Sequence, residues 1–154
     1  MKSYKTIIHK LIKQNINVSI AESCTGGQLC SFFTETPGVS KIFNMGIIAY
    51  SNKSKNLILE IPLSILKKYG AVSEKVASLM VLNLFKMSKS KLCISTTGIA
   101  GPNGGSKSKP VGLVYIGIKF NENIHVTKKI FNGNRKKIQK DTVNFCLKSI
   151  QDLI

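Results

Sequence analysis

Two apolar runs with β character, Leu92–Thr97 and Val111–Phe120, flank the segment Gly98-Ile99-Ala100-Gly101-Pro102-Asn103-Gly104-Gly105, which is closed by Lys109-Pro110-Val111-Gly112. Four glycines and two prolines therefore lie in a loop between two expected strands. Glycine lacks a Cβ and tolerates positive φ, so backbone N–H groups can turn toward an anion or a flat ring at no steric cost. A loop of this composition is built around a bound group.

A second glycine-bearing turn, Ala21-Glu22-Ser23-Cys24-Thr25-Gly26-Gly27, follows the apolar run Val18–Ala21 and leads into a helical pattern. Where a strand feeds a helix N-terminus, unsatisfied amides and the positive end of the helix dipole favour a phosphate or a developing oxyanion. Neither loop carries the Walker spacing or a Gly-x-Gly-x-x-Gly opening a helix. Each glycine taken alone can equally serve a tight turn at a strand end.

The rest of the chain alternates helical and strand patterns. Ser3–Gln14 places Ile7, Ile8, Leu11 and Ile12 on one stripe of an amphipathic helix. Strands are expected at Val18–Ala21, Phe43–Tyr50, Leu92–Thr97, Val111–Phe120 and Ile124–Phe131, with a turn at Asn121-Glu122-Asn123. Helices are expected at Gly27–Thr34, Asn52–Leu59 capped by Ser51, Leu63–Lys68, a longer one opening at Ser73-Glu74, and Arg135–Leu153. This order points to one α/β domain over residues 1–154, a three-layer α/β/α sandwich on a mixed, mostly parallel sheet.

A chain of 154 residues, 43% hydrophobic, suffices for one core. No run approaches the roughly 20 apolar residues of a membrane span, and no signal peptide is recognisable, so the expected location is the cytoplasm. Cys24, Cys30, Cys93 and Cys146 lack metal-ligand spacing, and no metal or cofactor is expected. Cys93 and Cys146 read as small core residues. The formal net charge of +16 suggests nucleic acid at first sight, yet only Arg135 among 23 basic residues is arginine. The lysines spread through every segment beside many Asn and Ile, a pattern of compositional drift more than of a nucleic-acid footprint.

Ligand crevices in open α/β sheets lie beyond the carboxyl ends of the strands. If the first three strands are parallel neighbours, Ser23–Gly27, Tyr50–Lys55 and Thr97–Gly105 meet on one edge. That edge holds hydroxyls, a cysteine, a tyrosine and a lysine but no histidine, which disfavours a Ser-His-Asp triad. A lysine kept neutral by burial can activate serine instead, and Lys55 is the residue placed to do so.

The segments Ala21-Glu22-Ser23-Cys24-Thr25-Gly26-Gly27, Pro37-Gly38-x-Ser40, Phe43-x-x-Gly46, Tyr50-Ser51-Asn52-x-x-Lys55, Gly70-Ala71-Val72-Ser73 and Thr97–Gly105 resemble, in order, the CinA C-terminal domain family. The resemblance implies a sandwich similar to anticodon-binding domains and a stand-alone nicotinamide-nucleotide amidase. Such an enzyme hydrolyses the carboxamide of nicotinamide mononucleotide to nicotinic acid mononucleotide and ammonia. It also implies Ser23 as nucleophile with Lys55 and Tyr50 as partners, and a homodimer. Lys55 would take the serine proton directly or through Tyr50, and amides around Thr25, Gly26 and Gly27 would hold the oxyanion. Thr97, Gly98, Gly101, Gly104, Gly105 and Arg135 would receive the nucleotide. Cys24 is the minor alternative nucleophile. Two departures stand out: Asn134 where the family's Gly-Asp-Arg element has aspartate, and Asn83 where glycine is common. Competing readings are a catalytically silent nucleic-acid-binding module of the same fold, and an amidase acting on a different amide.

Overall fold

The computed structural model describes residues 4–154. Its elements in chain order are α1 (Lys5–Lys13), β1 (Val18–Glu22), α2 (Gln28–Thr34), a single 3-10 turn at Val39–Lys41, β2 (Phe43–Ile48), α3 (Asn52–Leu59), α4 (Leu63–Tyr69), α5 (Glu74–Ser88), β3 (Leu92–Gly98), β4 (Leu113–Phe120), β5 (Asn123–Ile130) and α6 (Arg135–Leu153). Ser3, expected to open the first helix, lies outside the described residues.

The five strands form one sheet in the order β2-β1-β3-β4-β5. β1 pairs in parallel with both β2 and β3, whereas β4 is antiparallel to β3 and to β5. Four strands thus point one way and β4 the other. Because β2, β1 and β3 are parallel neighbours, the loops after all three emerge at the same edge of the sheet.

Period-two alternation sorts the side chains into two cores. Ile20, Ile94, Val114 and Ile116 join Ile8 and Leu11 of α1, Phe33 of α2, and Ile138 and Cys146 of α6 in one cluster. Ala21 and Cys93 face the other way, toward Leu59 of α3, Leu66 of α4, and Met80 and Leu84 of α5. Both faces of the sheet are therefore covered, giving the expected three layers. Gly117 of β4 lets α5 approach closely: a Cβ there would stand 2.9 Å from the Ala77 carbonyl oxygen.

The expected caps form. Ser51 and Ser54 make a reciprocal capping box on α3, and Ser73 Oγ accepts from the Val76 amide at the start of α5. Asn134 takes the N-cap position of α6, accepting from the Lys137 amide at 3.0 Å, so the change from aspartate keeps the cap. Asn83 donates to the Leu59 carbonyl at 2.7 Å and ties α5 to the end of α3. Most boundaries fall within a residue or two of expectation, and three of the differences bear on the loops. β2 ends at Ile48, ahead of Ala49 and Tyr50. β4 starts at Leu113 because Gly112, at φ +92°, closes the preceding loop by bonding Ile99. β5 starts at Asn123 because Asn121, at φ +51°, allows a tighter turn.

Candidate active site

The same alternation that builds the cores aims the residues at the end of β1. Even-numbered positions face α2 and α6, so Glu22 turns toward α2; Ser23 takes the opposite side and meets α3. The capped first turn of α3 carries Lys55 inward, leaving it 1% exposed, and Ser23 is 7% exposed. Lys55 Nζ lies 2.8 Å from Ser23 Oγ, 2.8 Å from the Ala49 carbonyl oxygen and 3.4 Å from that of Tyr50.

All three neighbours of Nζ can accept hydrogen bonds, and none is a carboxylate. Burial pushes the Lys55 pKa down from its ordinary value to about 8, opposed only by nearby Cys24. As an ammonium, Nζ donates to all three acceptors. As the neutral amine, populated as pH rises past about 8, it keeps two N–H donors for the carbonyls and has a lone pair to take the Ser23 proton.

Cys24 points into the α2–α6 core, and its burial raises the thiol pKa to about 12. A thiol held protonated and turned into the core is poorly placed to act as a nucleophile. Cys93 and Cys146 are fully buried, as expected for core residues.

Tyr50 is 58% exposed, and its hydroxyl accepts from Arg135 Nη2 at 2.7 Å. Lys55 meets the Tyr50 backbone and not the ring hydroxyl, so the expected link from Lys55 to Ser23 through the Tyr50 hydroxyl does not form, while the direct Lys55–Ser23 contact does. Arg135 Nη1 donates to the Gly101 carbonyl at 2.8 Å. This one guanidinium joins the loop after β2 to the loop after β3.

The oxyanion expectation for Thr25–Gly27 needs correction. The carboxylate of Glu22, fully buried, accepts from the amides of Gly27 at 3.0 Å, Leu29 at 3.2 Å and Cys30 at 2.7 Å. The N-terminus of α2 thus already holds an anion, supplied by the chain itself. The Gly26 and Gln28 amides bond the carbonyls of Ser23 and Thr25. Thr25 is buried, with its hydroxyl 2.8 Å from that of Thr96, and it pins the loop to β3. Gly27 stands at φ +96° ahead of α2, and Gly26 is open on its Cβ side.

In the long loop, Thr97 donates to the Ala71 carbonyl at 2.8 Å, and Gly98 packs against Leu113 and Val114 of β4. Gly101 is buried against Val111, and Gly105 lies against the Val111 amide. These are close-packing positions. The open part is the stretch around Gly104, where Pro102, Asn103, Gly105, Ser106 and Lys107 help line a shallow cavity of about 580 Å³. The sequence pattern does not by itself single out Glu22, though one signal for it is there: a carboxylate that follows apolar strand residues just before a helix start.

Among the described residues, no helix is long and apolar enough to cross a membrane. A family model described as the CinA C-terminal domain matches residues 1–154. A CinA-like protein of Prochlorococcus marinus is 48% identical over 149 residues, covering 94% of this chain and 34% of its own length. A Thermoanaerobacter pseudethanolicus protein named as competence-damage inducible is 45% identical over 139 residues, covering 90% of this chain and 34% of its own. The chain spans about a third of the length of these curated relatives. A solved CinA superfamily protein from Escherichia coli aligns with TM-score 0.92 at 28% identity, over 98% of this chain and 88% of that one. The competence/damage inducible protein CihA from Agrobacterium tumefaciens aligns with TM-score 0.90 at 32% identity, over 97% and 94%.

Proposed function

The chain belongs to the CinA C-terminal domain family, and from that premise we propose that it is a nicotinamide-nucleotide amidase, hydrolysing the carboxamide of nicotinamide mononucleotide to nicotinic acid mononucleotide and ammonia. The observation that carries this reading is the buried Lys55 Nζ, 2.8 Å from Ser23 Oγ with no carboxylate in its shell.

Ser23 Oγ attacks the carboxamide carbon while its proton passes to Lys55 Nζ. The oxyanion of the tetrahedral intermediate is held by the amides of Cys24 and Thr25, the ones in this loop that neither Glu22 nor the turn bonds occupy. Collapse breaks the carbon–nitrogen bond, and the Lys55 ammonium returns the proton to the departing nitrogen, which leaves as ammonia. Water then attacks the acyl-serine ester, giving its proton to Lys55; the ester bond breaks, Ser23 regains its proton, and the nicotinate is freed. The cavity beside Gly104 and the Arg135 guanidinium receive the ribose phosphate, a dianion suited to Lys107 and to the remaining donors of Arg135.

The direct test is ammonia release from nicotinamide mononucleotide by the purified chain, with Ser23→Ala and Lys55→Ala alongside. Release that both variants abolish supports the assignment. A folded wild type that releases none overturns it for this substrate, and other amides and nucleic acid are then the ones to screen.

A further inference from the structure

Gln139 lies one helical turn after Arg135, on the same side of α6. Its Nε2 donates to the Cys24 carbonyl at 2.8 Å, and its Oε1 accepts from Gln28 Nε2 at 2.9 Å. The Cys24 carbonyl can only accept, which fixes the NH2 of Gln139 on it and leaves the Gln139 oxygen to accept from Gln28. Between them, Arg135 and Gln139 reach all three loops at the sheet edge: Cys24 after β1, Tyr50 after β2 and Gly101 after β3.

The Cys24 carbonyl belongs to the same planar peptide unit as the Thr25 N–H. In a trans peptide the C=O and N–H point in opposite directions. Gln139 holds the carbonyl from the α6 side of the sheet, so the Thr25 N–H is directed away from α6, the side on which Lys55 meets Ser23. A hydrogen bond accepted at the carbonyl also polarises the unit and makes its N–H a stronger donor.

We infer that Gln139 is a positioning residue that orients and strengthens the Thr25 amide as an oxyanion donor, acting through the Cys24–Thr25 peptide without touching the substrate. The inference rests on the Ser23–Lys55 reading above. It assigns to α6 a part in stabilising the transition state, beside the Arg135 bridge between the other two loops.

The test uses two readouts on the full chain. One is kcat and KM for nicotinamide mononucleotide. The other is the rate at which a fluorophosphonate labels Ser23, followed by mass spectrometry. In labelling, the Ser23 Oγ–phosphorus bond forms, fluoride leaves, the serine proton passes to Lys55, and the phosphoryl oxygen occupies the oxyanion position. Gln139→Leu keeps the bulk and removes the donor. The expected result is a fall of about tenfold in both kcat and labelling rate, less than the loss of a whole oxyanion donor, with KM and the midpoint of the pH profile unchanged. Gln139→Lys restores a donor to the Cys24 carbonyl and is expected to recover most of both rates. Gln28→Ala, an exposed change that leaves the core intact, is expected to lower both by about two- to threefold by loosening the Gln139 amide.

Unchanged rates in Gln139→Leu, or a Gln139→Lys variant no faster than it, overturn the inference. Should Gln139→Leu fail to fold, Gln28→Ala decides alone, and wild-type rates there overturn it. A wild type that labels at Ser23 but releases no ammonia sinks the substrate assignment only, since the labelling comparison still reads Gln139. A wild type that does neither overturns both.

Discussion

The two glycine loops differ in almost everything but glycine. The loop after β1 is closed on itself: Glu22, Ser23 and Thr25 are buried and hydrogen-bonded to α2, Lys55 and Thr96. The loop after β3 is packed only at its two ends, and residues 102–108 stand exposed around the shallow cavity. A nucleophile must be held to a fraction of an ångström against its base, whereas a phosphate site gains from donors that can adjust. Glycine serves the first loop by allowing the positive φ that starts α2, and the second by leaving room beside the chain.

The difference can be broken at either end. The largest effect is expected in the closed loop's chemistry: Ser23→Ala or Lys55→Met should lower ammonia release by at least about a thousandfold, measured under substrate saturation. Next comes its scaffold. Glu22→Ala leaves three amides, one buried and two partly buried, without their acceptor and should cost about 3 kcal/mol in urea unfolding. An unchanged midpoint would show that water replaces the carboxylate and that the loop is less closed than its contacts imply.

Lys55 separates activity from stability. Its pKa in the fold, about 8, lies below the ordinary lysine value, so between those two pH values the unfolded chain binds more protons than the folded one. Burying the charged lysine therefore penalises the native state in full below pH 8, and the penalty fades as pH rises above it. Lys55→Met should accordingly be more stable than wild type at pH 7 by about 1 kcal/mol, with the gap closing toward pH 10. The smallest effect belongs to the open loop. Lys107→Ala should raise KM a few-fold, roughly the worth of one exposed charge contact, and leave kcat unchanged.

Much of this was legible in the chain. Apolar alternation and the serine caps placed nearly every element, and the same parity separates Ser23 from Glu22 and Cys24. The Tyr50-Ser51-Asn52-x-x-Lys55 segment held enough to pair Lys55 with Ser23, because a cap at Ser51 sets where the first turn of α3 points. The contacts that were not legible are those between residues far apart in the chain. Gln139 on Cys24 and Arg135 on Tyr50 join distant segments, and nothing local to an exposed helix face records them. Glu22 was hidden for another reason: a glycine turn before a helix is the ordinary signature of an external anion site, and here the anion is the chain's own.

The neutral amine of Lys55 is the premise on which the proposed chemistry stands, and it can be read without any substrate. The protein, labelled with 13C at lysine Cε, would be titrated by NMR, with Lys55 assigned from its absence in Lys55→Met. A Lys55 resonance that titrates near pH 8, apart from the exposed lysines, is the expected result. A midpoint above 10 would mean that burial does not depress the lysine, that its neutral form is all but absent from neutral to mildly alkaline pH, and that Ser23 is left without its base.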